Sequence, residues 1–261
     1  TVIAKAHGVV VTSATLRDAM PFPPGDPDAD SRDGWAAATL RTGLRHLPLA
    51  PTQAAVASPF DYAELTRVLV VTDVQRNDQA QVAAAFRELF LASGGGAMGL
   101  FTAIARLRDV HGRVAEALEH AGLPLYAQHV DAKDTGTLVD IFRAEEDACL
   151  LGTDAVRDGV DVPGRSLRLI VFDRVPWPRP DILHKARREA FGGNQWDDLI
   201  TRLRLRQAFG RLVRRADDRG VFVMLDRGLP SRLLTAFPEA VEVQRMGLAD
   251  TITEIRNHLG T

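Results

Sequence analysis

The sequence predicts an α/β fold: a doubly wound, mainly parallel sheet with helices on both faces. Two observations predict it. Six short apolar runs have the uninterrupted hydrophobicity of strands buried on both faces, at residues 68–72, 98–102, 125–129, 148–152, 169–172 and 221–225. Helical patterns lie between them, and strand alternating with helix argues for right-handed βαβ units. A hydrophobic fraction of 46% with 25% charged residues is ordinary for a globular chain with a sizeable core.

The elements follow in order. Residues 8–12 (Gly-Val-Val-Val-Thr) read as a strand, and Pro21 to Pro27 with the acids after it as a loop. The helix at 79–92 carries Val82, Phe86, Leu89 and Phe90 at helical spacing. The run Gly94-Gly95-Gly96-Ala97-Met98-Gly99 fits G-x-G-x-x-G by letter, but it precedes a strand instead of following one. It reads as a helix-terminating glycine loop. Helices follow at 104–121, 135–144 and 199–215. Three prolines keep Val175-Pro-Trp-Pro-Arg-Pro180 out of regular helix and central strand. Residues 1–50 are assigned to the first strand and its loop region, and 51–261 to the α/β domain.

Charge and cysteine usage narrow the classes. The net charge of −2 excludes a uniformly basic nucleic-acid coat. Its distribution is uneven: residues 153–220 hold 14 Arg and one Lys against 10 acids, a surplus of five positive charges. That suits a local track for phosphates. The single Cys149, in the apolar run Ala-Cys-Leu-Leu, reads as a core thiol and cannot form an intrachain disulfide or a four-cysteine metal site. With no signal peptide or membrane-length apolar run in the sequence, the expected location is the cytoplasm.

The most informative segment is Gln207-Ala-Phe-Gly210-Arg211-Leu-Val-Arg214-Arg215. Two arginines three apart share a face if the segment is helical, and guanidinium groups suit phosphate oxygens. For the arginines alone a solvated helix face is an equal reading. They belong, however, to an ordered set: Thr12-Ser13-Ala14-Thr15-Leu16, Ser58-Pro-Phe-Asp-Tyr62, Gly99-Leu-Phe-Thr102, Gly152-Thr153-Asp154 through Gly159-Val-Asp161-Val-Pro-Gly164, the arginine segment, and Asp218-Arg-Gly220.

This order resembles the second motor domain of superfamily 2 helicases of the DinG/XPD type, over nearly the whole chain. T-S-A-T-L resembles motif III, L-F-T motif IV, G-T-D…G-V-D-V-P-G motif V and Q-x-x-G-R-x-x-R motif VI. The loop around Trp177 resembles the L-P-F-x-x-P loop of DinG-like proteins, with tryptophan where phenylalanine is more usual. No G-x-x-x-x-G-K-[ST] and no D-E-A-H-like box occurs, so the phosphate cradle and its Mg2+ acids are missing. The chain reads as half of a two-lobed motor.

The resemblance implies a RecA-like lobe working with a first lobe of the same polypeptide, with ATP and Mg2+ bound by the full-length protein. Single-stranded DNA is the implied partner and 5′ to 3′ the implied polarity. An iron–sulfur cluster would sit only in the other lobe. Arg214 is the expected arginine finger, with Arg211 on the β/γ-oxygens, Gln207 near the attacking water, and Gly159, Asp161 and Gly210 at the nucleotide. Thr102 and Thr153 are expected on strand phosphates, contacts that position without reading sequence. Ser13 and Thr15 are expected to couple nucleotide state to strand grip.

Other readings stay open at this stage. Asp161 is alternatively a turn residue satisfying local amides, and Trp177 a packed loop aromatic instead of a base-stacking one. His129 and Asp131 read as a strand-end polar pair, not metal ligands. Alternatives to the DNA helicase are an RNA helicase lobe, or a nucleic-acid-binding or regulatory module without ATPase activity. The chain by itself is expected to be inactive in ATP hydrolysis.

Overall fold

A computed structural model describes residues 7–18, 34–153, 162 and 164–261, with the side chain of Arg45 left aside. Two compact units divide it, residues 1–56 with 178–203 and residues 57–177 with 204–261. The sequence boundary at residue 50 does not anticipate the joining of 178–203 to the first unit.

The second unit is built on seven strands: β1 Thr66–Val71, β2 Ala97–Leu100, β3 Leu125–Ala127, β4 Cys149–Gly152, β5 Leu169–Phe172, β6 Gly220–Met224 and β7 Val243–Met246. They pair in the order β3-β4-β2-β5-β6-β1-β7, and every pairing is parallel. Side chains alternate across a strand, so each strand feeds two cores. Val68, Val70, Leu150, Ile170, Phe222 and Met224 lie in one cluster; Leu69, Val71, Leu151, Val171, Val221 and Val223 lie in the other.

Helices cover both faces. On the second cluster lie α3 (Gln79–Ser93), α4 (Ile104–His120) and, through Ile255, α8 (Leu248–Leu259). The first is closed by α5 (Thr135–Ala144) and by Leu205, Ala208 and Phe209 at the end of α7 (Asn194–Phe209). This is the doubly wound α/β sheet expected.

Local chemistry sets the boundaries. Asp78 caps α3 by accepting the Ala80 and Gln81 N–H groups at 3.0 and 3.1 Å, and Asp134 caps α5 through Gly136 and Thr137 at 2.9 and 3.1 Å. Asp61 does the same for the short helix α2 (Tyr62–Leu65). Gly94 ends α3 at φ 62°, a left-handed residue as the glycine loop requires. The two glycines after it also have positive φ, and a Cβ on Gly95 or Gly96 would strike the carbonyls of Asp147 or Arg165. Cys149 is fully buried, and burial pushes its thiol up to about 12, as befits a core residue.

In the first unit, α1 (Ala36–Thr42) and the start of α7 share a small apolar cluster of Ala37, Trp196, Leu199 and Leu203, and α6 (Ile182–Ala190) precedes α7. Asp18 and Arg202 form a buried ion pair at 2.6 Å. Residues 8–12 are not a strand. They have no regular structure, and Val9, Val10 and Val11 are 53%, 86% and 47% exposed. Three β-branched residues favour extended backbone, but without ladder partners that preference does not make a strand. The proline loop at 21–27 lies outside the described residues.

Candidate functional site

The expected site residues that are described in the second unit fall at opposite ends of the sheet. Thr102, Thr153 and Asp173 follow the carboxyl ends of β2, β4 and β5, where ligands of open α/β sheets bind. Asp173 is fully buried; its Oδ1 accepts the Thr102 N–H at 3.2 Å and its Oδ2 the Arg106 Nε–H at 2.6 Å. Burial raises its carboxyl above the usual carboxylate range, and the Arg106 contact opposes the rise. This pair holds the turn into α4. The buried Nη2 of Arg106 has no hydrogen-bond partner among the described residues.

Thr153 is fixed by one neighbour. The amide oxygen of Gln128 accepts both its N–H at 3.0 Å and its hydroxyl at 2.8 Å, while the Gln128 Nε2 donates to the Thr135 hydroxyl at 3.1 Å. The Thr153 hydroxyl is therefore already a donor inside the protein, and the residue is buried. His129, at φ 67°, offers its carbonyl to Arg108, and Asp131 accepts the Ala127 N–H at 2.7 Å. They shape the end of β3, and among the described residues no group of three or more His, Cys, Asp or Glu could hold a metal ion.

Trp177 stands on the loop leaving β5. The loop is irregular, as its prolines require, and Trp177 is 39% exposed with the Arg232 guanidinium 6.0 Å from its ring centroid. Arg204 Nη1 donates to the carbonyls of Pro176 at 3.0 Å and Trp177 at 3.1 Å.

The arginine segment needs a correction. The sequence put Arg211 and Arg214 on one helix face, but α7 ends at Phe209, and residues 210–219 form the loop entering the amino end of β6. The cause combines core burial with a local carboxylate. Leu212 and Val213 turn into the core, and buried Asp218 accepts the backbone N–H groups of Arg214 and Arg215 at 2.7 and 2.8 Å. Helical backbone would satisfy those donors internally instead.

Arg214 is exposed, Arg211 and Gln207 are half-buried, and Gly210 is exposed at the helix end. Gly159 and Asp161 lie outside the described residues; Val162, beside Asp161, is buried in the same cluster as Leu212 and Val213. Tyr62 of S-P-F-D-Y packs on Phe209 at 5.8 Å between ring centroids, beneath the end of α7. In the first unit, Ser13 and Thr15 share a hydroxyl hydrogen bond of 3.1 Å in a turn, and Ser13 Oγ accepts the Thr15 N–H at 3.1 Å. Sequence reasoning named Asp218 in the ordered set without giving it a role, and missed Arg204 and Arg232. Only Asp218 left a signal, its place between the arginines and a buried strand.

A seven-stranded all-parallel sheet covered by helices on both faces is the architecture of a RecA-like lobe. Comparison with known proteins agrees. The family described as "Helicase C-terminal domain" matches residues 86–244, so the chain belongs to that family, in its DinG/XPD-type branch.

"ATP-dependent helicase DinG" of Mycobacterium tuberculosis is 37% identical over 193 residues, covering 69% of this chain and 28% of the relative. "ATP-dependent DNA helicase YoaA" of Escherichia coli is 34% identical over 67% of this chain and 28% of its own length. "3'-5' exonuclease DinG" of Bacillus subtilis is 31% identical over 86% of this chain and 24% of its own. The chain thus spans between a quarter and a third of the first two relatives and slightly less of the third.

Among solved structures, an XPD helicase superposes with TM-score 0.53 at 15% identity, over 69% of this chain and 35% of that one. Dbp5 of Saccharomyces cerevisiae bound to RNA and ADP BeF3 superposes with TM-score 0.57 at 15% identity, over 86% and 53%. No helix among the described residues is long and apolar enough to cross a membrane.

Proposed function

We propose that this chain is the second motor lobe of an ATP-dependent DNA helicase, which supplies an arginine finger and part of a single-strand track. Curated relatives named ATP-dependent helicases, one of them a DNA helicase, support the class. The observation that carries the finer reading is the loop 210–218: a basic segment whose Arg214 is exposed while its backbone is fixed by buried Asp218. A fixed backbone under an exposed guanidinium is the arrangement an electrostatic catalyst requires, because reorganisation cost is met in folding.

The donor set fits a nucleotide's phosphates. Arg211 and Arg214 offer forked donors for phosphate oxygens, and Gln207 and Gly210 precede them on the chain. Metal binding is assigned to the first lobe of the same polypeptide. ATP, when bound, supplies the phosphoryl group whose transfer drives movement. Arg214 stabilises charge on the γ-phosphate, Arg211 supports the β/γ-oxygens, Gln207 orients the attacking water, and Gly159 with Asp161 borders the nucleotide. Ser13 and Thr15 relay nucleotide state toward the strand.

At the carboxyl ends of the strands, Thr102 and Thr153 contact phosphates of single-stranded DNA, and Trp177 offers a face for a base. Gln128 takes both the Thr153 hydroxyl and its N–H, so a phosphate engages a Thr153 donor by exchange with one of those two bonds. The chain alone hydrolyses no ATP, and the full-length protein works in the cytoplasm.

A direct test uses the full-length protein with two partial duplexes, one with a 5′ single-stranded tail and one with a 3′ tail. ATP-dependent unwinding of the 5′-tailed duplex, with hydrolysis stimulated by single strands, is the expected result. Unwinding only from a 3′ tail overturns the polarity. Hydrolysis indifferent to single strands overturns the motor reading.

A further inference from the structure

We infer that Arg204 and Arg232 are positioning residues that hold Trp177 as a preorganised stacking platform and fasten it to the helix that ends in the arginine loop. The inference rests on the reading of Trp177 as a base contact.

Three contacts carry it, all within the second unit. Arg204, near the end of α7, donates to two consecutive carbonyls of the tryptophan loop, Pro176 at 3.0 Å and Trp177 at 3.1 Å. Arg206, two residues on, donates to the carbonyls of Thr235 at 3.1 Å and Ala236 at 3.4 Å. Those carbonyls belong to the 3-10 turn Ser231–Ala236, which carries Arg232, and Arg232 sits 6.0 Å from the Trp177 ring centroid. One helix thus grips two loops, and the second loop returns a guanidinium to the aromatic ring of the first.

The arrangement differs from that of a core tryptophan. Trp177 is 39% exposed, yet its backbone is fastened from both sides: Trp177 N–H donates to Val175 O at 2.8 Å, and Val175 is 3% exposed in the core. Pro176 and Pro178 restrict the flanking backbone further. An exposed aromatic on a fixed backbone loses little freedom when a base stacks on it, so more of the stacking free energy appears as affinity. Arg232 on the ring adds a cation near an incoming phosphate and favours the ring orientation through its π-face.

The same geometry links two parts of the proposed cycle. Arg204 and Gln207 are three apart on one helix, and Gly210 opens the arginine loop. A displacement of the end of α7 on nucleotide binding would pull on the carbonyls of Pro176 and Trp177 directly.

The test is a double-mutant cycle in the full-length protein, with a fluorescent oligo-dT strand as probe. Trp177→Ala should weaken binding about tenfold, the scale of one lost base stack. Arg204→Ala should weaken it roughly three- to tenfold without lowering the melting temperature in proportion, and Arg204→Lys, which keeps donors for the carbonyls, should recover part of the loss. The double variant should bind no worse than Trp177→Ala alone, because Arg204 acts through the ring. If the two losses multiply, Arg204 touches the strand itself and the positioning role is overturned. If Trp177→Ala binds like the parent protein, the base-stacking reading fails and takes the inference with it.

Discussion

The two ends of the sheet are built on different principles. At the carboxyl ends of β2, β4 and β5, side chains fix side chains and turns: Asp173 with Arg106, Gln128 with Thr153 and Thr135. At the amino end of β6, one carboxylate fixes backbone and leaves the arginine side chains outside. A surface that grips a moving strand benefits from small hydroxyls on a rigid frame. A catalytic cation benefits from a rigid anchor and an unburied guanidinium. The difference teaches that the two ends of one sheet can be fixed by separate sets of contacts, side chain to side chain at one and side chain to backbone at the other.

The comparison can be broken most severely at Arg214. In the full-length protein, Arg214→Ala should cut the DNA-stimulated ATP hydrolysis rate by roughly 10³-fold or more, the scale of an arginine finger, with ATP affinity nearly unchanged. Steady-state kinetics beside nucleotide titration separates the two; equal losses in both would make Arg214 a ground-state contact.

Asp218 comes next. Asp218→Ala strands two backbone donors, so turnover should fall on the order of tenfold and stability by about 1–3 kcal/mol. Asp218→Asn keeps one acceptor oxygen and should restore most of both, as rate and denaturant melts would report. A variant that loses stability but keeps full turnover would show that the anchor serves folding alone.

At the other end, Thr102→Val should weaken single-strand binding by roughly three- to tenfold, the worth of one hydrogen bond. Binding should also fall as salt rises, because phosphate contacts release counterions. Anisotropy titrations at several salt concentrations test both. ATP affinity without DNA should not respond; if it does, the two ends are not separate sites.

The smallest effect is one of pH and belongs to the amino end. The Nε2 of His258 donates to the carbonyl of Leu65, just before β1, and burial holds its pKa below the ordinary 6.5. The unfolded chain therefore takes up a proton first as pH falls. The stability is fully present above the unfolded value and is lost as pH drops from about 6.5 toward the folded pKa. Melting temperatures between pH 7.5 and 5.5 should show this slope, and His258→Gln should flatten it.

Much of the fold was legible because burial on both faces leaves an unbroken apolar run. The runs at 169–172 and 135–144 coincide with β5 and α5. β7 was not read, since Val-Gln-Arg-Met at a half-exposed sheet edge has neither run nor clean alternation. For the candidate site, the residue types were legible in sequence and their backbone was not. The letters Q-x-x-G-R-x-x-R carry no mark of where the helix stops; that depends on the burial of Leu212 and Val213 and on the carboxylate of Asp218, four residues past Arg214. Arg204 looked like one arginine among 29 and gained meaning only from two carbonyls on another loop.

The bond between Arg204 and the tryptophan loop also makes the chain's tolerance to insertions uneven. The chain leaves the second unit after Trp177 and re-enters it at Arg204, so those two carbonyl contacts stitch the mouth of a long excursion shut. Residues added beside α6, between Pro178 and Asp181 or at Gly192 and Gly193, lengthen an excursion whose ends, Trp177 and Arg204, are already together, and the entropic penalty of that grows only as the logarithm of length. One residue added between Arg204 and Gln207 would instead rotate everything beyond it by about 100° around the helix axis. Length variation among related chains should gather in the first stretch and be missing from the second.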